Sequence, residues 1–177
     1  LYHYDQPAEV RASALRALGT LQVDDLEDLI IMSFQSEDAA VRQAAITACR
    51  DTKPQSIVSN VLAYKLPSLS QAEQSTALAV LGELRDTTVA PLVAELLANK
   101  EIAESVKLEG VKVLNTIGGA DASDRLLGML AEMDEALQDS ARAALASMPG
   151  DGVDASLLAA TAQGDITVRS EAITALG

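Results

Sequence analysis

The decamer VRASALRALG, beginning at Val10, returns along the chain as VRQAAITACR, EQSTALAVLG, VKLEGVKVLN, LQDSARAALA and VRSEAITALG. The six copies start at residues 10, 41, 73, 106, 137 and 168, so neighbours lie 31, 32, 33, 31 and 31 residues apart. A period of that length leaves few architectures open. Each copy is one supersecondary unit that cannot bury its apolar face alone and must stack on the next. With the first residue of each copy as slot zero, slot four holds Ala14, Ala45, Ala77, Gly110, Ala141 and Ala172, never anything larger than alanine. Slot seven holds Ala17, Ala48, Val80, Val113, Ala144 and Ala175, and slot eight Leu18, Cys49, Leu81, Leu114, Leu145 and Leu176. Slots zero, four, seven and eight form one stripe of a 3.6-residue helix. Small residues there let neighbouring helices approach closely, while the aliphatics beside them fill the remaining space.

A second set of helical segments lies between the copies: VDDLEDLIIMSF, PQSIVSNVLAYKL, TVAPLVAELLAN, DASDRLLGMLAEM and DASLLAATAQ. Asp38, Ser70, Asp134 and Asp165 each stand three residues before a copy, where an N-cap belongs, and Gly19, Gly82 and Gly177 are expected just past helix ends. Pro54 suits a first helical turn, and Pro7, Pro67, Pro91 and Pro149 fall in or near turns or first turns. The expected fold is all-α: a right-handed α-solenoid of stacked antiparallel helix pairs without a sheet, spanning 1–177 as a single array. Its repeat-start helices are expected at about 7–19, 38–50, 70–84, 103–117, 134–147 and 165–177. Residues Leu1 to Tyr4 align with Met32 to Gln35, and neither end carries the polar outer face of a capping repeat, so flanking repeats or domains are expected in the parent chain.

Only 2% of the residues are aromatic, so the interior must be built from Ala, Leu, Val and Ile, which suits close helix packing. Thirteen basic residues against 26 acidic ones give a net charge of −13, a surface that repels phosphate backbones and anionic membranes. The expected partner is therefore a protein, not a nucleic acid, and no membrane insertion is expected, since no apolar run approaches the ~20 residues a bilayer requires. The chain reads as soluble, with the cytoplasm favoured over the periplasm.

The motif D-x-x-V-R-x-x-A-x-x-A-L-G, whole or nearly so in PAEVRASALRALG, DAAVRQAAITAC and DITVRSEAITALG, resembles the short HEAT-like repeats of bacterial proteins and phycobilin lyase subunits. Classical HEAT units are longer, about 40–47 residues, and the ankyrin and tetratricopeptide signatures are missing. The resemblance implies that the V-R helix lines the inner face of a superhelix. It also implies that the basic residue bridges to acidic groups in a ladder between repeats, here through Arg11, Arg42, Lys107 and Arg169, with interruptions at Gln74 and Gln138.

Side chains that could carry catalysis are few. His3 is the only histidine, so Ser-His, Cys-His and His-metal arrangements lack support, and Cys49 occupies an apolar slot as a small buried hydrophobe. GDGVDAS, from Gly150 to Ser156, lacks the bidentate Glu of a calcium loop and reads, like GADAS at Gly119 to Ser123, as a turn with a capping Asp. No phosphate-binding glycine motif occurs, and no cofactor is expected. Between Leu18 and Val41 there is no Lys or Arg, while Asp24, Asp25, Glu27, Asp28, Glu37 and Asp38 accumulate, a pattern that suits the positive end of a helix dipole. Slots two and six define the inner ridge, where Arg16, Gln43, Thr47, Leu108 and Lys112 are the candidate protein-binding residues. The expected function is a non-catalytic protein-interaction or scaffolding module. The alternatives are an accessory subunit of a phycobilin lyase-like cofactor-attaching enzyme and a spacer array within a multidomain enzyme.

Overall fold

A computed structural model describes residues 3, 5–21, 23–53, 57–163 and 165–177; Pro54, like Leu1 and Tyr4, lies outside the described residues. All regular structure among them is helical, and it falls into two compact units, Leu1–Asp86 and Thr87–Gly177. The first contains α1 (Ala8–Leu21), α2 (Leu26–Ser33), α3 (Ala39–Ala48), α4 (Ile57–Lys65) and α5 (Gln71–Leu84). The second contains α6 (Ala90–Ala98), α7 (Glu104–Ile117), α8 (Gly119–Met129), α9 (Glu135–Ser147), α10 (Val153–Gln163) and α11 (Ile166–Leu176). Among the described residues no helix is long and apolar enough to cross a membrane.

Each unit has two layers. In the first, the V-R helices pack in the order α1, α3, α5, while α2 and α4 pair behind them; in the second, α7, α9 and α11 form one row and α6, α8 and α10 the other. The N-caps are made as side-chain bonds. Asp38 accepts from the Ala40 N–H, Ser70 from Glu73, Asp134 from Leu137 and Asp165 from Val168. Each removes one of the orphan donors at a helix start.

The apolar stripe supplies the core. Ala45, Ala77, Ala141 and Ala172 in slot four are fully buried, as are Val41, Leu81, Leu114 and Cys49. Gly110 has no room for more: a Cβ there would lie 2.8 Å from Leu97 Cδ2. Slot five is buried as well in four copies, through Leu15, Ile46, Leu78 and Val111, which widens the stripe. Leucine at Ala45 or Ala141 must therefore push helices apart and is expected to cost about 1–3 kcal/mol. Gln43→Leu and Ser140→Leu, at half-buried sites off the stripe, should lower the melting temperature much less. Equal losses at all four sites in thermal unfolding would refute this assignment of faces.

Two glycines expected past helix ends lie inside helices instead. Gly19 sits within α1, which runs on to Leu21; a Cβ there would come 2.5 Å from the Asp51 carboxylate, so the glycine makes room for a neighbouring side chain and does not end the helix. Gly82 lies within α5, whose C-cap is Arg85 in the left-handed region at φ 52°. GADAS is likewise the first turn of α8, where Asp121 pairs with Arg125 one turn on at 2.9 Å. Asp86 is fully buried, and the Ser59 hydroxyl of α4 donates to its carboxylate.

Candidate functional site

The V-R helices carry the candidate ridge residues, and in the first unit those residues bond mainly to one another. Gln43 on α3 is half-buried and its Nε2 donates to Thr76 Oγ1 on α5 at 3.0 Å. The Thr47 hydroxyl folds back onto the Gln43 carbonyl at 2.9 Å, one turn earlier. Arg16 on α1 is exposed. In the second unit Lys112 is exposed and Leu108 half-buried, both on α7. A further rung there joins Asn115 Nδ2 of α7 to Ser147 Oγ of α9 at 3.4 Å. Each unit thus presents V-R helices whose small polar side chains are tied across neighbouring repeats, with a cation standing free beside them.

The four residues assigned to a ladder do different things. Arg42 makes an inter-repeat ion pair, Nε to Glu73 Oε1 at 2.8 Å, and its Nη1 also donates to the carbonyls of Ser36 and Glu37, both at 2.9 Å. Arg169 Nε donates to the Thr161 carbonyl at 3.2 Å. Arg11 Nε is buried with no hydrogen-bond partner among the described residues. The Lys107 ammonium makes no hydrogen bond or ion pair among them.

Gln74 and Gln138, which break the basic pattern, explain what the slot does. Gln74 Nε2 donates to the Leu66 carbonyl at 3.1 Å, and Gln138 Nε2 to the carbonyls of Leu130 at 3.1 Å and Met133 at 3.0 Å. Like Arg42 and Arg169, these side chains bond carbonyls in the last turn of the preceding linking helix or in the turn that follows it. The last carbonyls of a helix lack intrahelical partners, and an uncharged amide can supply the donor as well as a guanidinium can.

The strongest polar joints lie at positions not singled out by their slot. Glu73 stands in slot zero, where other copies carry Val or Leu. Its carboxylate accepts from the Ser70 backbone N–H at 2.9 Å and the Ser70 hydroxyl at 2.6 Å, completing a capping box, and from Arg42 on the other oxygen. Burial pushes the Glu73 carboxyl up, but the bonds from Ser70 and Arg42 outweigh it and hold the group below the usual carboxylate range. The sequence carries the signal in the S-x-x-E spacing of Ser70 and Glu73. Arg142 on α9 grips Glu171 on α11 through two bonds of 2.8 Å and reaches Asp139 at 3.1 Å. The bond from Arg142 holds the Glu171 carboxyl low, and Glu171 in turn raises the guanidinium. Arg50 and Glu83 form a third joint at 2.6 Å, which raises the Arg50 guanidinium. Cys49 is buried, its thiol donating to the Ala45 carbonyl at 3.2 Å, and burial pushes its pKa far above that of a free thiol. A thiol held protonated in this way is a poor nucleophile.

No protein-family model and no curated protein sequence matches the chain. Solved structures do. An engineered protein aligns over 98% of this chain and 91% of its own, at 19% identity and a TM-score of 0.57. A designed armadillo repeat protein aligns over 98% and 94%, at 14% identity and a TM-score of 0.55. The karyopherin Kap121p, solved bound to Pho4p, aligns over 97% of this chain at 17% identity and a TM-score of 0.66, and the chain spans 24% of the karyopherin's length. The fold is accordingly that of the HEAT/armadillo-type helical repeats, the α-solenoid class.

Proposed function

We propose that this chain is a non-catalytic protein-interaction module built from short HEAT-like repeats of the bacterial, phycobilin-lyase-associated kind. The observation that carries the reading is the exposed face of the V-R helices. It is a row of small side chains already bonded to one another, so covering it costs little side-chain entropy, and cations at Arg16 and Lys112 supply anchors. Support also comes from the shared fold, since Kap121p holds the protein Pho4p. The repeat spacing of 31–33 residues supports the short subclass.

The same reading includes further repeats on either side of the described ones. Val10 in slot zero is 47% exposed, whereas its counterparts Val41 and Val106 are fully buried; Leu176 in slot eight is 39% exposed against 0% for Leu81 and Leu114. Another helix pair of the same kind would cover these exposed slots.

The test is a pull-down with the full-length protein. Leu108→Asp combined with Arg16→Glu is expected to release the protein partner, and charge reversal at Asp24, Asp25 and Asp28 is expected to leave it bound. Loss of the partner only in the acidic-cluster variant would sink the ridge reading and move the interface to the first turns of α2.

A further inference from the structure

We infer that the outer face of α2 and α4 is a second docking surface, suited to a protein segment that carries an aliphatic stripe with lysine or arginine at one end. These two helices pair behind the V-R row of the first unit, so the surface is separate from the ridge and goes beyond the ridge reading. Leu26 and Ile30 of α2 are buried, as are Val58 and Leu62 of α4, each 32 residues on, so the paired helices run side by side in one direction. The same spacing sets Met32 beside Tyr64 and Leu29 beside Val61. Met32 stands midway between buried Ile30 and Phe34, and Tyr64 midway between buried Leu62 and Leu66, the position on a helix that points away from the core. Met32 is 52% exposed, Tyr64 71% and Ile57, two turns before Tyr64, 63%; Leu29 and Val61 are half-buried among them. Packing does not ask for large apolar groups in that slot. In the second unit it holds Glu95, between buried Val93 and Leu97, and Gly128, between buried Leu126 and Leu130. Apolar side chains scattered singly over a surface need no explanation, but neighbours on one face mark a contact site, and tyrosine is among the favoured anchors.

The charged border selects the occupant. In the same register Asp25 stands beside Ile57, and Asp28 follows one turn on, both exposed at the start of α2. Asp25 holds the N-cap position yet makes no side-chain cap bond, and neither carboxylate has a hydrogen bond or ion pair among the described residues. The lysines of this unit do not balance them. Lys65 lies in the last turn of α4, at the Met32 and Tyr64 end, and Lys53 lines a cleft that already holds Asp24, Glu27 and Asp51. The face is therefore acidic at one end and apolar along the rest. An acidic segment is repelled there, and a purely apolar one would strip water from two carboxylates without replacing it. A segment whose cations lie over Asp25 and Asp28, away from Lys65, satisfies both ends, and the net charge of −13 draws it in at long range. α2 has 8 residues and α4 has 9, so the face is roughly 12–14 Å long, room for about two turns of a partner helix.

Methionine-methyl NMR on the whole chain reads this face, because Met32 lies on it while Met129, Met133 and Met148 belong to the second unit. The probe is acetyl-Lys-Lys-Ala-Leu-Leu-Ala-Ala-Leu-amide, with versions carrying Gln or Glu in place of both lysines. The Lys peptide should move the Met32 methyl signal and leave the signals of the second unit in place. Tyr64→Ala should weaken this binding about tenfold, as expected for the loss of an aromatic anchor. Its exposure means the variant should fold, which thermal unfolding checks. Asp25→Asn combined with Asp28→Asn should bring the Lys and Gln peptides level. Leu158→Ala, the loss of an exposed apolar side chain on α10, should leave the titration unchanged. Equal shifts with the Glu peptide, binding indifferent to Tyr64→Ala, or a still Met32 signal at saturating Lys peptide would overturn the surface. So would a dimer in sedimentation that Tyr64→Ala abolishes, since a second copy would then be the occupant. The variant with Leu108→Asp and Arg16→Glu should bind the Lys peptide like the native chain. A still Met32 signal thus leaves the ridge reading standing, and failure of the ridge variants in the pull-down leaves this surface standing.

Discussion

Glu73→Ala is expected to lower the stability of the first unit by about 2–4 kcal/mol, more than most single surface changes. The side chain is 5% exposed and serves three donors at once. Removing it undoes a capping box, a loss of about 1 kcal/mol, and leaves the partly buried Arg42 guanidinium without its anion, the larger penalty. The cost follows from how the pair is placed: α5 brings Glu73 against α3 in a slot that other copies fill with valine or leucine. The effect should also depend on pH. The folded-state pKa of Glu73 is lowered, so its contribution is present in full above the unfolded carboxylate pKa and is lost as pH falls through the folded value. The gap in melting temperature between the native chain and Glu73→Gln should therefore narrow as pH falls below the ordinary carboxylate range. A gap that stays constant down to acid would show that the ionised pair does not act as described.

The second large effect is expected at the turn joining α7 to α8. Gly118 sits at φ 63° and ψ −162°, a region open to glycine and nearly closed to other residues. A Cβ there would collide with the Pro149 carbonyl oxygen, which is itself held by the Gly119 N–H at 2.9 Å. Alanine cannot be accommodated without moving backbone and breaking that bond. Gly118→Ala should cost about 3–5 kcal/mol from the strained conformation, the clash and the lost hydrogen bond together. Gly128, inside α8, has nothing within 4 Å of where an added Cβ would stand and makes a matched control. Gly128→Ala should be neutral or stabilising by up to about 1 kcal/mol. Chemical denaturation of the two variants decides the matter: similar midpoints would remove the special role assigned to Gly118.

The periodic stripe makes the helical repeat legible, because slot four holds only Ala or Gly and slot eight holds leucine in every copy but the second, where Cys49 stands. The four N-caps are equally readable, since Ser and Asp at that spacing have a local partner whatever the tertiary context. What lies across a helix face is not. The family resemblance makes the V-R arginine one rung of an acidic ladder, yet carbonyls at or just past the end of the preceding linking helix are the commoner acceptors, and slot arithmetic shows the direction of a side chain without showing its acceptor. Gly19 is no helix stop for a related reason: its purpose, room for Asp51, comes from a residue 32 positions on. Arg142 stands in a slot that holds a buried aliphatic in four other copies, and the position of Glu171 on the neighbouring helix explains it.

The slot shared by Arg42, Gln74, Gln138 and Arg169 separates two properties that are usually coupled. Its bond to the preceding helix survives whether the donor is charged or neutral, so a repeat can gain or lose a unit of surface charge without loosening its own hinge. Mutational drift can therefore retune the electrostatic character of such an array one module at a time, trading arginine for glutamine according to the company it keeps, while the mechanical assembly is inherited intact.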